Sequence, residues 1–275
     1  MRMKFQITSD TKVKLLQLCV YIILLYTLAF HWDTSLFLVG LVAGWLMFLT
    51  GIYGSLHKYS SHRNFEPKNN IIKIFILIMG TLTSLGSNIA WSATHRKHHK
   101  YSDLEGDPHS IHTDGGGFWR GLKIYFYYFP TYLINPRTIK DLTVDPMHKW
   151  FHKQYYYVIA IYVAVLYIID PLYVGYFYAL PVFYCYTGIS YITVIAHSDW
   201  AGKLVGYRNF NIPDHTFNWK LGNLVFPGEG NHHNHHAYAG AVDTRFAKGE
   251  IDTGLWYIKL IGNINTQEDY QAYPG

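Results

Sequence analysis

The sequence predicts an all-α integral membrane protein: four transmembrane helices in two hairpins, with a cytoplasmic helical cap carrying a histidine-rich dimetal site. Three observations predict it. Half of the 275 residues are hydrophobic and 18% aromatic, while 15% are charged, well below the roughly one quarter usual for a soluble domain. The apolar residues gather in runs long enough to cross a bilayer, separated by short turns. Nine histidines stand at the ends of those runs rather than inside them.

The first run, about residues 13–31, spans a hydrocarbon core of roughly 30 Å at 1.5 Å per residue. His31-Trp32-Asp33-Thr34 then turns the chain into a second run, about 35–54, which returns to the amino-terminal side just before His57 and His62. A spacing of five places two side chains about 140° apart on a regular helix. Either the helix ends near Tyr59-Ser60-Ser61, or these two imidazoles serve different metals.

Residues 71–91 are apolar, but Gly80, Ser84, Gly86, Ser87 and Asn88 interrupt the second half. A full crossing here would carry His95–His99 away from His57 and His62, so 71–91 is expected to be an interfacial or re-entrant helix pair. Phe118 to Tyr132, rich in Trp, Tyr and Phe, is expected to be an interfacial helix. The second hairpin comprises about 155–169, a turn at Asp170-Pro171, and about 172–196, which delivers His197 to the same side. Segments 57–154 and 197–275 are cytoplasmic or interfacial in this reading, and residues 1–275 form a single domain.

The net charge of +5 is concentrated where topology needs it. Arg2, Lys4, Lys12 and Lys14 precede the first run, and Lys58, Arg63, Lys68, Lys73, Arg96, Lys97 and Lys100 surround the first histidines. By the positive-inside tendency these flanks, and both termini, are cytoplasmic. Lipid headgroups account for the basic balance without nucleic acid, and the same cations are candidates for steering an anionic ligand. Cys19 and Cys185 lie in apolar runs and are expected to be buried thiols, neither disulfide-bonded nor metal ligands.

Two histidine clusters share one pattern, H-x-x-H-H: His95-Arg96-Lys97-His98-His99 and His232-His233-Asn234-His235-His236. On a helix, positions 0, 3 and 4 fall within an arc of about 100°, so each trio is expected to point at one place. With His57, His62 and His197 the set exceeds what one ion uses, so two metals are implied. Nearby acids look few, which favours an all-histidine site over a carboxylate-bridged one. His31, His148, His152 and His215 are expected at the surface or interface, and His233, at an x position, behind the ligands.

These motifs resemble those of membrane fatty acid desaturases of the stearoyl-CoA (Δ9) type. The matching residues are His57-Lys-Tyr-Ser-Ser-His62, His95-Arg-Lys-His-His99 and Gly228-Glu-Gly-Asn-His-His-Asn-His-His236, with Asp107-Pro108-His109 and Gly206-Tyr207-Arg208 also similar. The likeness runs from about residue 15 to 250. It implies two iron ions held by His57, His62, His95, His98, His99, His197, His232, His235 and His236, with dioxygen as co-substrate. It further implies an acyl-CoA or acyl-carrier substrate in a kinked tunnel. Trp91 matches a tunnel-lining aromatic of the family, its alternative role being an interfacial anchor. Thr193 stands where the family usually has an asparagine that holds a metal-bound water.

The chain ends at Gly275 without a fused cytochrome b5 domain, which implies an external electron donor, ferredoxin-like or cytochrome b5-like with a reductase. So compact a module resembles bacterial members and an inner-membrane location. Hydroxylation and acetylene formation are the neighbouring chemistries, although alkane hydroxylases space their histidines differently. A metal-handling transporter would need ionisable ligands at mid-span, and here they cluster at span ends.

Overall fold

The computed structural model describes residues 10–113, 119–122 and 136–264. Three helices are long and apolar enough to cross a membrane: Lys12–Phe30, Thr34–Ser61 and Pro171–Ile195. The first lies within helix α1, Asp10–Phe30, whose 21 residues extend about 31 Å. Helix α2, Thr34–Met47, starts where the expected turn ends. The Asp33 side chain caps it by accepting from the Leu36 N–H at 2.8 Å.

Helix α2 does not stop at residue 54. It passes without a break into Phe48–Ser61, where the backbone bonds reach five residues back and wind a π-helix. The His62 N–H still donates to the His57 carbonyl, at 3.1 Å. Of the two alternatives for this stretch the first holds and the second does not: the helix ends at Ser61, with His62 as its cap, and His57 and His62 do not diverge, their ring centroids lying 5.0 Å apart. Residues five apart are about one turn apart in such a winding, so both imidazoles leave the same face.

The interrupted stretch 71–91 forms the expected helix pair: α3 over Asn70–Leu82 and α4 over Asn88–Tyr101. Both pack on Phe48–Ser61. Asn88, at the start of α4, donates from Nδ2 to the hydroxyls of Ser55 and Ser60 at 2.7 and 2.9 Å. Arg96, about two turns of helix further on, clamps the other end. Its guanidinium donates to the carbonyls of Ser60 and Ser61 and, in a fork, to both oxygens of Asp141. The carbonyls that a helix end leaves unpaired are thereby satisfied.

Several cations assigned to topology or steering are thus committed inside the fold. Lys58 is fully buried and donates to the Ala241 carbonyl at 3.0 Å. Lys73 pairs with Asp145. Cys19 also departs from expectation, being exposed on the outside of α1, whereas Cys185 is buried; both are free thiols. Of the expected interfacial helix 118–132, only residues 119–122, which are helical, fall among those described.

Asp170 caps the last spanning helix, with Pro171 at its first position, and the helix runs to Ile195 with π-wound turns at Gly175–Ala179 and Tyr191–Ile195. It packs closely against α2. A Cβ added to Gly44 would lie 2.8 Å from the Tyr184 Cβ, and one on Gly40 2.6 Å from the Tyr176 carbonyl oxygen. Small residues at the contact let the two backbones approach, as in other membrane helix pairs. The preceding helix, Tyr155–Ile169, has 15 residues and extends about 22 Å. A two-stranded antiparallel ribbon, Phe65–Pro67 with Gly262–Ile264, ties the end of the described chain to the segment after His62.

Candidate metal centre

All nine histidines converge, in two groups. His57, His62, His95, His99 and His235 bring one ring nitrogen each to within 4.8 Å of one another. His98, His197 and His236 do the same, and the His232 Nε2 lies 3.1 Å from the His197 Nε2. The expectation that each trio serves one place is therefore corrected. In α4, His95 and His99 face the first group and His98 the second. In the short helix His232–Ala237, His232 and His236 face the second and His235 the first. At 100° per residue, positions 0 and 4 are only about 40° apart while position 3 turns to the other side. Each motif straddles the two groups, and the pair does so reciprocally.

Carboxylates stand behind the rings, and there are more of them than the sequence suggested. The Nδ1 atoms of His57, His98, His197 and His236 lie 2.5, 3.0, 2.7 and 2.9 Å from Glu229, Asp107, Asp103 and Asp214. Such a partner places the ring proton on Nδ1 and leaves Nε2 with a bare lone pair. Burial opposes ionisation of the three aspartates, but the facing imidazoles outweigh it and hold their carboxyls well below the usual range. Burial, helped by the neighbouring rings, drives His62, His95, His99, His232 and His235 well below the ordinary histidine pKa, so they are neutral. His236 falls to about 4 for the same first reason, against the pull of Asp214.

The arrangement fits metal ions on two grounds. Ring nitrogens face each other at 2.8 Å for His57 with His235 and for His62 with His95, and at 3.1 Å for His235 with His99. Two ligands about 2.1 Å from one ion sit roughly 3 Å apart. The Nε2 of His236 is moreover buried without a hydrogen-bond partner among the described residues, a position that costs energy unless something binds there.

The Gly-Glu-Gly lead has a steric reason. Gly228 has φ +83°, and a Cβ there would come 2.1 Å from the Tyr53 ring; a Cβ on Gly230 would come 2.4 Å from the Asn223 backbone nitrogen. Only glycine permits this approach, and the turn it allows aims Glu229 at His57. Sequence reading had the motif but not this role. The spacing of Asp103 and Asp107, just after the second histidine motif, was the available signal for the other carboxylates.

Between the two groups lies a small cavity lined by Ile52, Trp91, His109, Ile189, Ile192 and Thr193, together with five of the nine histidines. Trp91 is 6% exposed and stacks on His95 at 4.5 Å, so it is a cavity wall and not a surface anchor. Thr193 is buried and projects from the π-wound turn two residues before Ile195. His233 belongs to neither group. Its Nδ1 meets the Thr216 hydroxyl and its Nε2 the Phe210 carbonyl, both at 3.0 Å, which steadies the loop bearing Asp214. His31 is exposed, and His152 and His215 are partly so, but His148 is 1% exposed and packs on Tyr59, against the expectation of a surface position.

Residues 20–247 match the fatty acid desaturase family. The chain belongs to that family. It is 32% identical to an sn-1 stearoyl-lipid 9-desaturase of Anabaena variabilis, over 81% of this chain and 79% of that protein. It is 28% identical to an acyl-CoA C20 Delta5-desaturase of Anemone leveillei, over 82% and 71%. A hex-5-enoyl-[acyl-carrier protein] acetylenase of Moorena producens is 30% identical over 40% of this chain and 38% of its own length. The chain is thus a desaturase-family membrane oxidoreductase of lipid metabolism.

Proposed function

We propose that the protein is an oxygen-dependent acyl desaturase that introduces a cis double bond, at the Δ9 position, into a saturated chain. The observation that carries this reading is the pairing of nine converging imidazoles with an apolar cavity between their two groups. His57, His62, His95, His99 and His235 would hold one iron, and His98, His197, His232 and His236 the other. When bound, the two irons supply the reduction of O2 by two electrons from an external ferredoxin-like or cytochrome b5-like carrier, so that two adjacent methylenes lose two hydrogens and two waters form.

The chain's own residues do the rest. Ile52, Trp91, Ile189 and Ile192 hold the alkyl segment and exclude water. Glu229, Asp103, Asp107 and Asp214 fix ring orientation and, in the neutral rings, hold the proton on Nδ1 so that Nε2 is the ligating atom. The Δ9 position follows the cyanobacterial relative; the plant relative is named for Δ5. The relatives' names also span lipid, coenzyme A and acyl carrier protein as acyl carriers. A second reading, further dehydrogenation to a triple bond, draws on the acetylenase likeness.

For topology we propose four spans, with both termini and the site on the cytoplasmic face of a bacterial inner membrane. Support comes from direction. His57, on the spanning helix that ends at Ser61, and His197, just past the one that ends at Ile195, line the same cavity. Two spans that run the same way need a return between them, and of the two shorter apolar helices in that interval, Asn70–Leu82 and Tyr155–Ile169, we assign it to the longer, Tyr155–Ile169.

The test is the fatty-acid profile, by gas chromatography and mass spectrometry, of cells expressing wild type or His235→Ala. A monounsaturated product lost in the variant is expected, along with two irons per purified wild-type chain. Hydroxylated or acetylenic products in its place overturn the simple desaturase reading.

A further inference from the structure

A third group of potential ligands stands outside the nine histidines. His112, Asp199 and His215 come from three separate segments, yet each brings a ligand atom to within 4.8 Å of the others. The two rings stack at 3.9 Å with 20° between their planes. His112 Nε2 donates to the His197 carbonyl at 2.8 Å, which fixes its proton on Nε2 and leaves Nδ1 with a lone pair. The His215 Nδ1 is 2.8 Å from the Asp199 carboxylate. That is close to the spacing of two atoms about 2.1 Å from a common ion, so an ion can take the place of the proton they share.

His112 and Asp199 are exposed and His215 is partly so, and exposed side chains change rotamer at little cost. The third ligand atom can therefore close in as an ion binds, and water can fill the fourth position. We propose that His112, Asp199 and His215 form a surface site for a zinc-class divalent cation. Two imidazoles and one carboxylate, with no thiolate, suit zinc, copper or nickel over calcium or magnesium.

The site is joined to the deeper centre. Besides the bond from His112 to the His197 carbonyl, the His215 backbone N–H donates to the Asp103 oxygen that accepts from His197 Nδ1. The proposal stands apart from the desaturase reading, because it concerns binding of the metal alone.

The test counts zinc and iron in purified full-length protein after equilibrium dialysis against zinc, for wild type, His215→Ala and His112→Gln. Glutamine retains an N–H for the His197 carbonyl but removes the ring nitrogen. Expected is one equivalent of zinc present in wild type and lost from both variants, with the remaining metal content unchanged. Because the readout is a difference between proteins, it is independent of which metal fills the nine-histidine centre. Equal zinc in all three overturns the proposal, as does loss of zinc only in parallel with loss of the other metal. Circular dichroism of the two variants identifies any loss that follows from misfolding, and a folded His112→Gln protein that keeps its zinc is sufficient to reject the site.

Discussion

At the scale of single residues, the carboxylates decide how the imidazoles behave. Glu229 approaches His57 Nδ1 at 2.5 Å while both side chains are almost wholly buried. Replacing Glu229 with Gln keeps the shape but removes the charge that strengthens the ring as a ligand. Metal affinity is expected to fall about 10- to 100-fold, the usual range for loss of a partner behind a ligating histidine. Dialysis against a chelator, with residual iron measured by mass spectrometry, checks this, and unchanged retention refutes it. Arg96 illustrates the opposite case of a charged residue inside a histidine motif that serves the backbone. It is bound to the Ser60 and Ser61 carbonyls and to Asp141 rather than presented to solvent as a steering charge.

At the scale of elements, the π-winding of Phe48–Ser61 and the close helix packing belong together. The first aligns His57 with His62; the second sets the spanning helices at the distance that lets His197 reach the same cavity. Gly188 marks that contact, since a Cβ there would lie 2.3 Å from the Phe48 ring and 2.8 Å from the Phe226 ring. Gly188→Ala is expected to destabilise by about 1–3 kcal/mol through overpacking and to lower the melting temperature of the protein in detergent. An unchanged melting temperature would mean that the rings move aside freely.

At the scale of the whole molecule, stability depends on keeping buried histidines neutral. His148 is the instructive one, because it lies away from the metal groups, between Tyr59 and Asp145. Burial lowers its pKa to about 4, against the pull of Asp145. As pH falls below about 6.5 the unfolded chain takes up a proton at this position, whereas the folded protein does not until about pH 4. The unfolded state is the better proton binder in that window, so stability declines as pH drops through it. Thermal unfolding of wild type and His148→Gln between pH 7 and pH 4 is expected to give a shallower decline for the variant. Equal slopes would place the acid sensitivity elsewhere.

Membrane character, the points where the spanning runs begin and the nine histidines were legible in the sequence, because hydropathy and ligand chemistry are written in single residues and their spacing; the end of the second run was not, since its helix continues to Ser61. The capped turns at Asp33 and Asp170 were legible for the same reason: each acts on backbone atoms two or three residues away. What spacing alone did not reveal was how the chain divides the ligands. Whether five residues span one turn depends on a winding that packing imposes on Phe48–Ser61, and 3.6-residue periodicity misjudged it. The division of each H-x-x-H-H between two groups needs both helices in place. So does the pairing of Glu229 with His57 across 172 positions. Residue type and local spacing determined the chemistry available; only the tertiary structure, by bringing distant segments to a common point, decided which nitrogen meets which.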